Sequence, residues 1–490
     1  MTAVDNWIVV IYLLGILAVG LRAGRGVSSS QDFAVAGQGL SFPLLLGTLV
    51  AAVVGASATI GRAGKAYEVG ILIALSGVAY GLGLLAFGKL APVIKRIQFW
   101  SVPDALGARY GQTFRFLSAL IVYICVMGVF ASQLMAFGVT ATFMSGSIDV
   151  SFTSAVMISA VLMTAYTLTG GMKSVAAADL FQVVIIVVMI GVVLPVVLVG
   201  EMGGPVAAVQ ALAPLDGDWL GGMSVVFLIS LFLIDIPIVL IDASLWQKTG
   251  AAQNARHIRR AVVITGLAFI VWGTLSAAYG VLAKRLQPGL IEAGMSADAA
   301  LPSLLFNYMP PVLLGFAFAA LVAVIISTAA TAMLVAGTTA GFELFRVIKP
   351  DASDKQTLLI TRLGVGLVAV VGVYIALNAQ GVFDLLLLTM AIYVSGIFIP
   401  TMCALFWSRA TTLGATAASL GGGTSVVILY GLQGAGKLPS VLEPIIGGLL
   451  VSGALMYLVS QATYSSSKTT QRLVDRAVTG DLGSTQNKLQ

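Results

Sequence analysis

Long runs of Val, Leu, Ile, Ala, Gly and Met, separated by short polar breaks, dominate the chain. A helix that crosses the hydrocarbon of a bilayer needs about 20 apolar residues. Runs of that kind lie near 7–21, 42–68, 71–94, 114–145, 151–169, 176–200 and 223–246. Six more lie near 261–283, 311–345, 358–378, 383–407, 411–432 and 440–461. The pattern predicts an all-α polytopic membrane protein with about thirteen transmembrane helices. The longest polar breaks, 95–113, 201–222, 247–260, 284–310 and 346–357, leave no room for a soluble domain. Leu286 to Ala299 is mildly amphipathic and is expected to form a short helix outside the membrane. Met1 to Asn6 carries no Lys or Arg. A cleaved signal normally begins with a basic stretch, so the first run reads as a retained helix.

Composition narrows the class. The 490 residues are 59% hydrophobic and only 9% charged, against roughly 25% charged in ordinary soluble domains. So few polar groups cannot cover a soluble surface, which excludes a soluble enzyme, a nucleic-acid binder and a disordered chain. The net charge of +6 follows the loops. With the amino terminus outside, 21 of the 26 Lys and Arg fall on the inner side. The outer five are Arg62, Lys65, Lys284, Arg285 and Lys437, and the segments 147–150, 201–222 and 379–382 carry none. Positive residues accumulate on the cytoplasmic side. The asymmetry predicts a multi-pass cell-membrane protein with its N-terminus outside and a cytoplasmic, partly disordered tail from about Ser465. Cys125 and Cys403 lie in apolar runs and read as buried free thiols. The single histidine, His257, cannot build an ordinary zinc site. Gly431 to Lys437 matches the start of a phosphate loop, but Leu438 follows it and no strand precedes it. Nothing marks an enzyme.

Polar residues inside the apolar runs are the chemical signal, because backbone groups in hydrocarbon need partners and helices break there only beside protein or water. The second run carries Val54-Gly55-Ala56-Ser57-Ala58-Thr59-Ile60-Gly61, small residues and hydroxyls at mid-depth. They fit either a broken helix or close helix packing. The seventh run carries Asp235-Ile236-Pro237 and then Asp242. A carboxylate at mid-membrane costs at least about 2.5–3.5 kcal/mol, so it serves function or is paired. The ninth run places Val324, Ser327, Thr328 and Thr331 on one helical face. Three hydroxyls there ligate a small hard cation or bond back to the preceding turn. Asp179 opens the sixth run after Gly170-Gly171-Met172-Lys173-Ser174, as a dipole-favoured carboxylate or as the lip of an inner vestibule. Two interrupted helices five spans apart predict two inverted halves with a site between them.

The chain resembles the sodium:solute symporter family, which includes sodium–glucose, sodium–proline, sialic acid and pantothenate carriers. The matching residues are Asp32 through Ser41; Gly170-Gly171-Met172-Lys173-Ser174-Val175 with Asp179-Leu180-Phe181-Gln182; Asp242 through Lys248 with Ala251-Ala252; and Gly396-Ile397-Phe398-Ile399-Pro400 through Arg409 with Gly414-Ala415. The resemblance implies a ten-helix core of two inverted five-helix repeats with broken first and sixth core helices. It divides the chain into an extra helix and inner loop (1–41), a first repeat (42–200), a second repeat (201–407), two further helices (408–464) and a tail (465–490). It also implies a sodium ion held by the carbonyls of Ala51, Val54 and Val324 and the hydroxyls of Ser327 and Thr328. Asp179 and Thr331 are available for a second sodium or an exit path, although Ala330 stands where the family has a hydroxyl. Ala178 replaces the family's Thr before the Asp, and Ala243 replaces its Gln after Asp242.

Substrate contacts implied in the same way are Ser57, Thr59, Arg62, Asp235, Tyr393 and Ser395. A carboxylate at 235 predicts an ammonium on the solute, and Arg62 or Lys65 a carboxylate on it; equally, Asp235 and Arg62 can pair with one another, since buried charges are normally paired. The implied activity is sodium-coupled symport of a small polar solute by alternating access, with an amino acid or other zwitterion favoured. The alternatives are a sugar or carboxylate, a proton-coupled carrier, and a solute sensor of the same fold.

Overall fold

The computed structural model describes residues 1–24, 29–99, 101–144, 151–214, 217–379, 381–439 and 442–464. The predicted tail, the segment 147–150 and Arg25 lie outside them. Membrane-length helices form where the apolar runs predict. They are α1 (Ala3–Gly24), the bent pair α2 (Phe42–Val53) and α3 (Ser57–Val69), and α4 (Ile71–Ile97). A short helix, α5 (Val102–Tyr110), leads into α6 (Gln112–Met144). α7 (Phe152–Ala165) leads into α8 (Gly170–Glu201). α9 (Val225–Ile241), α10 (Ala243–Ala251) and α11 (Ala255–Leu286) follow. The last are α12 (Leu313–Ile348), α13 (Asp354–Asn378), α14 (Val382–Phe406), α15 (Thr412–Gly434) and α16 (Pro444–Thr463). Among the described residues, 11 helices meet the length and hydropathy of a span, and 12 when the bent pair is counted. The shorter apolar α7 stands at the fifth run, 151–169.

Helix starts follow the capping residues in the sequence. Ser101, Ser224, Asn254 and Thr411 each accept a hydrogen bond from the backbone N–H three residues on. Ser353 and Gln356 form a reciprocal capping box at α13. Such caps satisfy N–H groups that have no partner within the helix.

Small residues decide the packing. α12 is buried along most of its length and stands against α6, α8 and α13. α4 and α11 cross at Gly77 and Gly273, where a Cβ on either residue would fall 2.6 Å from the other's Cα. α7 joins α8 through a kink at Gly171 (φ +57°), whose missing side chain leaves room for the Phe33 carbonyl. Only glycine meets both demands without strain.

The seventh run corrects one expectation. The helix is not broken at Asp235–Pro237; α9 continues through Pro237 to Ile241. Proline deletes one helical hydrogen bond but its fixed φ remains helical. The chain leaves the helix at Asp242 (φ −60°, ψ 116°), whose carboxylate accepts the Leu245 N–H at 2.7 Å and starts α10. The carbonyls freed there are taken by side chains: Tyr393 Oη donates to Ile241 O at 2.8 Å and Trp246 Nε1 to Leu240 O at 3.0 Å.

The extra helix α1 is tied to α12 at the face of the bundle that carries the amino terminus. The buried Asp5 carboxylate accepts the N–H groups of Val312 (2.8 Å) and Gly315 (3.1 Å), where Val312 is held at φ +70°. Charge-assisted hydrogen bonds of this kind contribute about 1.5–3 kcal/mol each, and a left-handed β-branched residue needs such support. Replacing Asp5 by Ala should therefore lower stability by about 2–4 kcal/mol, read as a fall in the thermal midpoint of the purified protein; an unchanged midpoint would show that this contact does not hold the start of α12.

Candidate functional site

The site is built around the gap between α2 and α3, which meet at 51°. Val54 leaves the helix (φ −81°, ψ 59°) after its N–H has bonded to Val50 O. Beyond the gap, the Ala56 N–H donates to the Gln133 side-chain oxygen at 3.1 Å. Gln133 in turn donates to Ser132 Oγ at 3.0 Å, and Ser132 Oγ lies 3.2 Å from Ser57 Oγ. α6 thus supplies the partners that the broken helix lacks.

α12 faces the other side of the gap. Ser327 Oγ lies 3.1 Å from both Ala51 O and Val324 O, and Thr328 Oγ1 lies 3.4 Å from Ala51 O and Ala52 O. The two helices touch closely because Gly55 has no side chain: a Cβ there would be 2.6 Å from Thr328 Oγ1. Four of the five anticipated cation ligands, Ala51, Val324, Ser327 and Thr328, therefore converge, with Val54 at the adjoining turn. Carbonyl and hydroxyl oxygens without a thiolate or imidazole suit a small hard cation.

A cavity of about 130 Å³ opens beside these oxygens and is lined by Ser57, Arg62, Tyr80, Asp235, Phe269 and Thr328, among others. Asp235 is buried, and one of its carboxylate oxygens has no hydrogen-bond partner. Arg62 is also buried but already engaged: Nη1 donates to Ala58 O at 2.9 Å, Nη2 to Ser76 Oγ at 3.2 Å, and the guanidinium lies 5.4 Å above the Phe269 ring. The other anticipated contacts separate. Thr59 accepts the Trp272 indole N–H at 2.9 Å. Tyr393 lines an adjoining cavity of about 90 Å³ with Asp242, Thr328 and Thr331. Ser395 is buried against Gly448 of α16 and lines neither cavity. Lys65 turns away to Glu68 (3.0 Å) and Asp384 (3.4 Å).

Asp179 and Thr331 come together around Thr48, with a residue the sequence reading left aside. Thr48 Oγ1 donates to Asp179 Oδ2. Lys248 Nζ donates to Thr48 O at 3.0 Å and reaches Thr331 Oγ1 at 3.4 Å. Gln133 and Lys248 were the residues missed. Gln133 is a strongly polar group within the apolar α6, a rarity that offered a signal; Lys248, in the short polar α10, offered none.

On the amino-terminal face, α3 packs tightly against the segment 297–299. Gly64 has no room for a side chain against Ala297 and Asp298, and the buried Asp298 carboxylate accepts the Val382 N–H at 3.0 Å. Burial pushes the Asp298 carboxyl up to about 7, opposed by that N–H and by Lys65 and reinforced by Asp384 and Glu68. Opening the face would return it toward the ordinary value of about 3.9. The closed arrangement therefore binds the proton more tightly, and its proton-linked stabilisation is lost as pH rises through about 7. Lowering pH from 8 to 5 should raise the closed fraction, and Asp298→Asn should remove that dependence. Spin-label distances between Ser296 and Gly381 across this range would measure it; an equal pH response in Asp298→Asn would assign the effect elsewhere.

The family model for the sodium:solute symporter family matches residues 33–422. The chain is 25% identical to the osmoregulated proline transporter of Bacillus subtilis, covering 94% of this chain and 96% of that one. It is 25% identical to the sodium/pantothenate symporter of Escherichia coli (92% and 94%) and 24% identical to a high-affinity choline transporter of Caenorhabditis elegans (84% and 75%). Among solved structures, a substrate-bound, outward-open sodium-coupled sialic acid symporter superposes with a TM-score of 0.77 at 15% identity, covering 94% of this chain and 98% of that one. A transporter of the nucleobase-cation-symport-1 family in a closed conformation superposes with 0.60 at 12% identity (91% and 97%). The fold is that of the inverted-repeat transporters, α2–α3 being the broken first core helix and α9–α10 the sixth. With a family model spanning most of the chain and relatives aligned over nearly its whole length, this protein belongs to the sodium:solute symporter family.

Proposed function

We propose that the chain carries a small ammonium-bearing solute, a zwitterion above all, into the cell together with sodium. Sodium-coupled solute symport is the activity of the family; the solute and the residues are the present reading. The observation that carries it is the unpartnered carboxylate oxygen of Asp235 in a small cavity that Thr328 also lines. A buried carboxylate oxygen without a hydrogen bond is costly, and a cationic nitrogen supplies the opposite charge, with a hydrogen bond where it carries N–H. Arg62, on the same cavity, meets the anionic end with the guanidinium edge that Ala58 and Ser76 leave free. Relatives named for proline and for choline are consistent with such a solute.

Sodium binds from outside to the oxygens of Ala51, Val54, Val324, Ser327 and Thr328. It thereby holds α12 against the broken first core helix and fixes the wall of the solute cavity. Solute then fills the cavity, the amino-terminal face closes through Asp298, and the opposite face opens. Glu343 holds that face shut by accepting from Ser101 Oγ and Arg115 Nε, each at 2.6 Å. The loop charges support an outer amino terminus, and on that reading the face carrying Asp298 is the outer one. Each charge moved inward gains about 2.3 kcal/mol per 100 mV of membrane potential.

Proteoliposomes loaded without sodium should accumulate labelled L-proline, glycine betaine or choline when sodium is added outside, and should not accumulate glucose or pantothenate. Asp235→Asn should cut uptake of the accumulated solute about tenfold or more, the equivalent of losing one charged hydrogen bond. Accumulation of glucose alone would remove the assignment of Asp235, and accumulation driven only by a proton gradient would remove that of sodium.

The cation site has its own test. Gly55→Ala should displace the Thr328 hydroxyl and raise the sodium concentration for half-activation several-fold, and Ser327→Ala with Thr328→Ala should raise it at least about tenfold. An unchanged sodium response in both would place the ion elsewhere.

A further inference from the structure

We infer that the Lys248 ammonium is a resident cation occupying a second buried oxygen cluster beside the one at Ser327, so that the protein binds one sodium per transport cycle. This rests on the sodium reading above and adds its stoichiometry.

Lys248 is 1% exposed and sits in the last turn of α10, six residues past the break at Asp242. Its ammonium donates to a backbone carbonyl, Thr48 O, and to a hydroxyl, Thr331 Oγ1. The charges facing it are Asp179 and Asp242. The oxygen set around the ammonium combines a carbonyl and a hydroxyl, as the cluster at Ser327 does, and adds a nearby carboxylate. Thr331 lies one helical turn from Ser327 on the same face of α12, so the two clusters are neighbours. A metal ion entering the second would stand beside a fixed positive charge, and like charges repel strongly where no water screens them.

The charges around the two breaks agree. Asp179, Asp235 and Asp242 contribute three negative charges; Arg62 and Lys248 contribute two positive ones. The balance is one negative charge. A single sodium neutralises it and leaves the cavity suited to a solute of no net charge. A second would leave an uncompensated positive charge in the core.

Equilibrium binding of radiolabelled sodium to the purified full-length protein needs no knowledge of the solute. The wild type should bind one sodium per chain along a hyperbolic curve. Lys248→Met should bind two, and Lys248→Met with Asp179→Asn should return to one. Lys248→Arg, which keeps the charge, should stay at one; Lys248→Gln replaces Lys248→Met if the latter does not fold. Two sodium ions in the wild type, or one in a folded uncharged variant, would overturn the inference while leaving sodium coupling intact. No binding in the wild type would instead overturn the sodium site on which it rests.

Discussion

Everything in this protein depends on how polar backbone is paid for inside hydrocarbon. A helix interrupted at Val54 exposes carbonyls at the end of α2 and N–H groups at the start of α3, and no lipid can satisfy them. Two neighbours do. Gln133 accepts from Ala56, and the hydroxyls of Ser327 and Thr328 stand over Ala51 and Ala52. The first arrangement is permanent. The second is exchangeable, because a cation placed among the same oxygens satisfies the carbonyls as well as a hydroxyl does. With sodium at the proposed site, ion binding and helix contact would be one event, because the oxygens between α12 and α2 are those proposed to hold the ion.

The second break follows a different logic. At Asp242 the freed carbonyls are taken by Tyr393 and Trp246, and the carboxylate starts the next helix itself. These partners are all fixed side chains, so this break has no exchangeable member. It positions Lys248 and, about two turns earlier, leaves Asp235 facing the cavity from an intact helix. The two breaks thus differ: the first leaves carbonyls facing the hydroxyls of α12, and the second is closed by fixed side chains.

The sequence was most informative where a single physical constraint acts. Span length located nearly every membrane helix, because hydrocarbon thickness leaves few choices. The hydroxyls at 327 and 328 were legible as polar groups recurring on one face of an apolar helix. Proline at 237 misled, since a proline in a membrane helix need not end it; the true break depended on Tyr393, about 150 residues away. Ser395 and Thr59 were placed at the site by position alone, and their orientations depend on Gly448 and Trp272, which no local pattern discloses. Lys248 was hidden for another reason. Near the end of an apolar run, a lysine reads as a loop residue until α2 and α12 are seen to enclose it.

The crossing of Gly77 and Gly273 has a consequence for movement. With no side chain between them, α4 and α11 meet backbone to backbone, so neither can slide or rotate without colliding with the other. They must travel as a single girder during the cycle. Phe269, one turn from that crossing, lies beneath the Arg62 guanidinium. Any tilt of the girder consequently shifts the cushion on which that guanidinium rests, which couples a distant rigid-body displacement to the polarity felt inside the solute chamber.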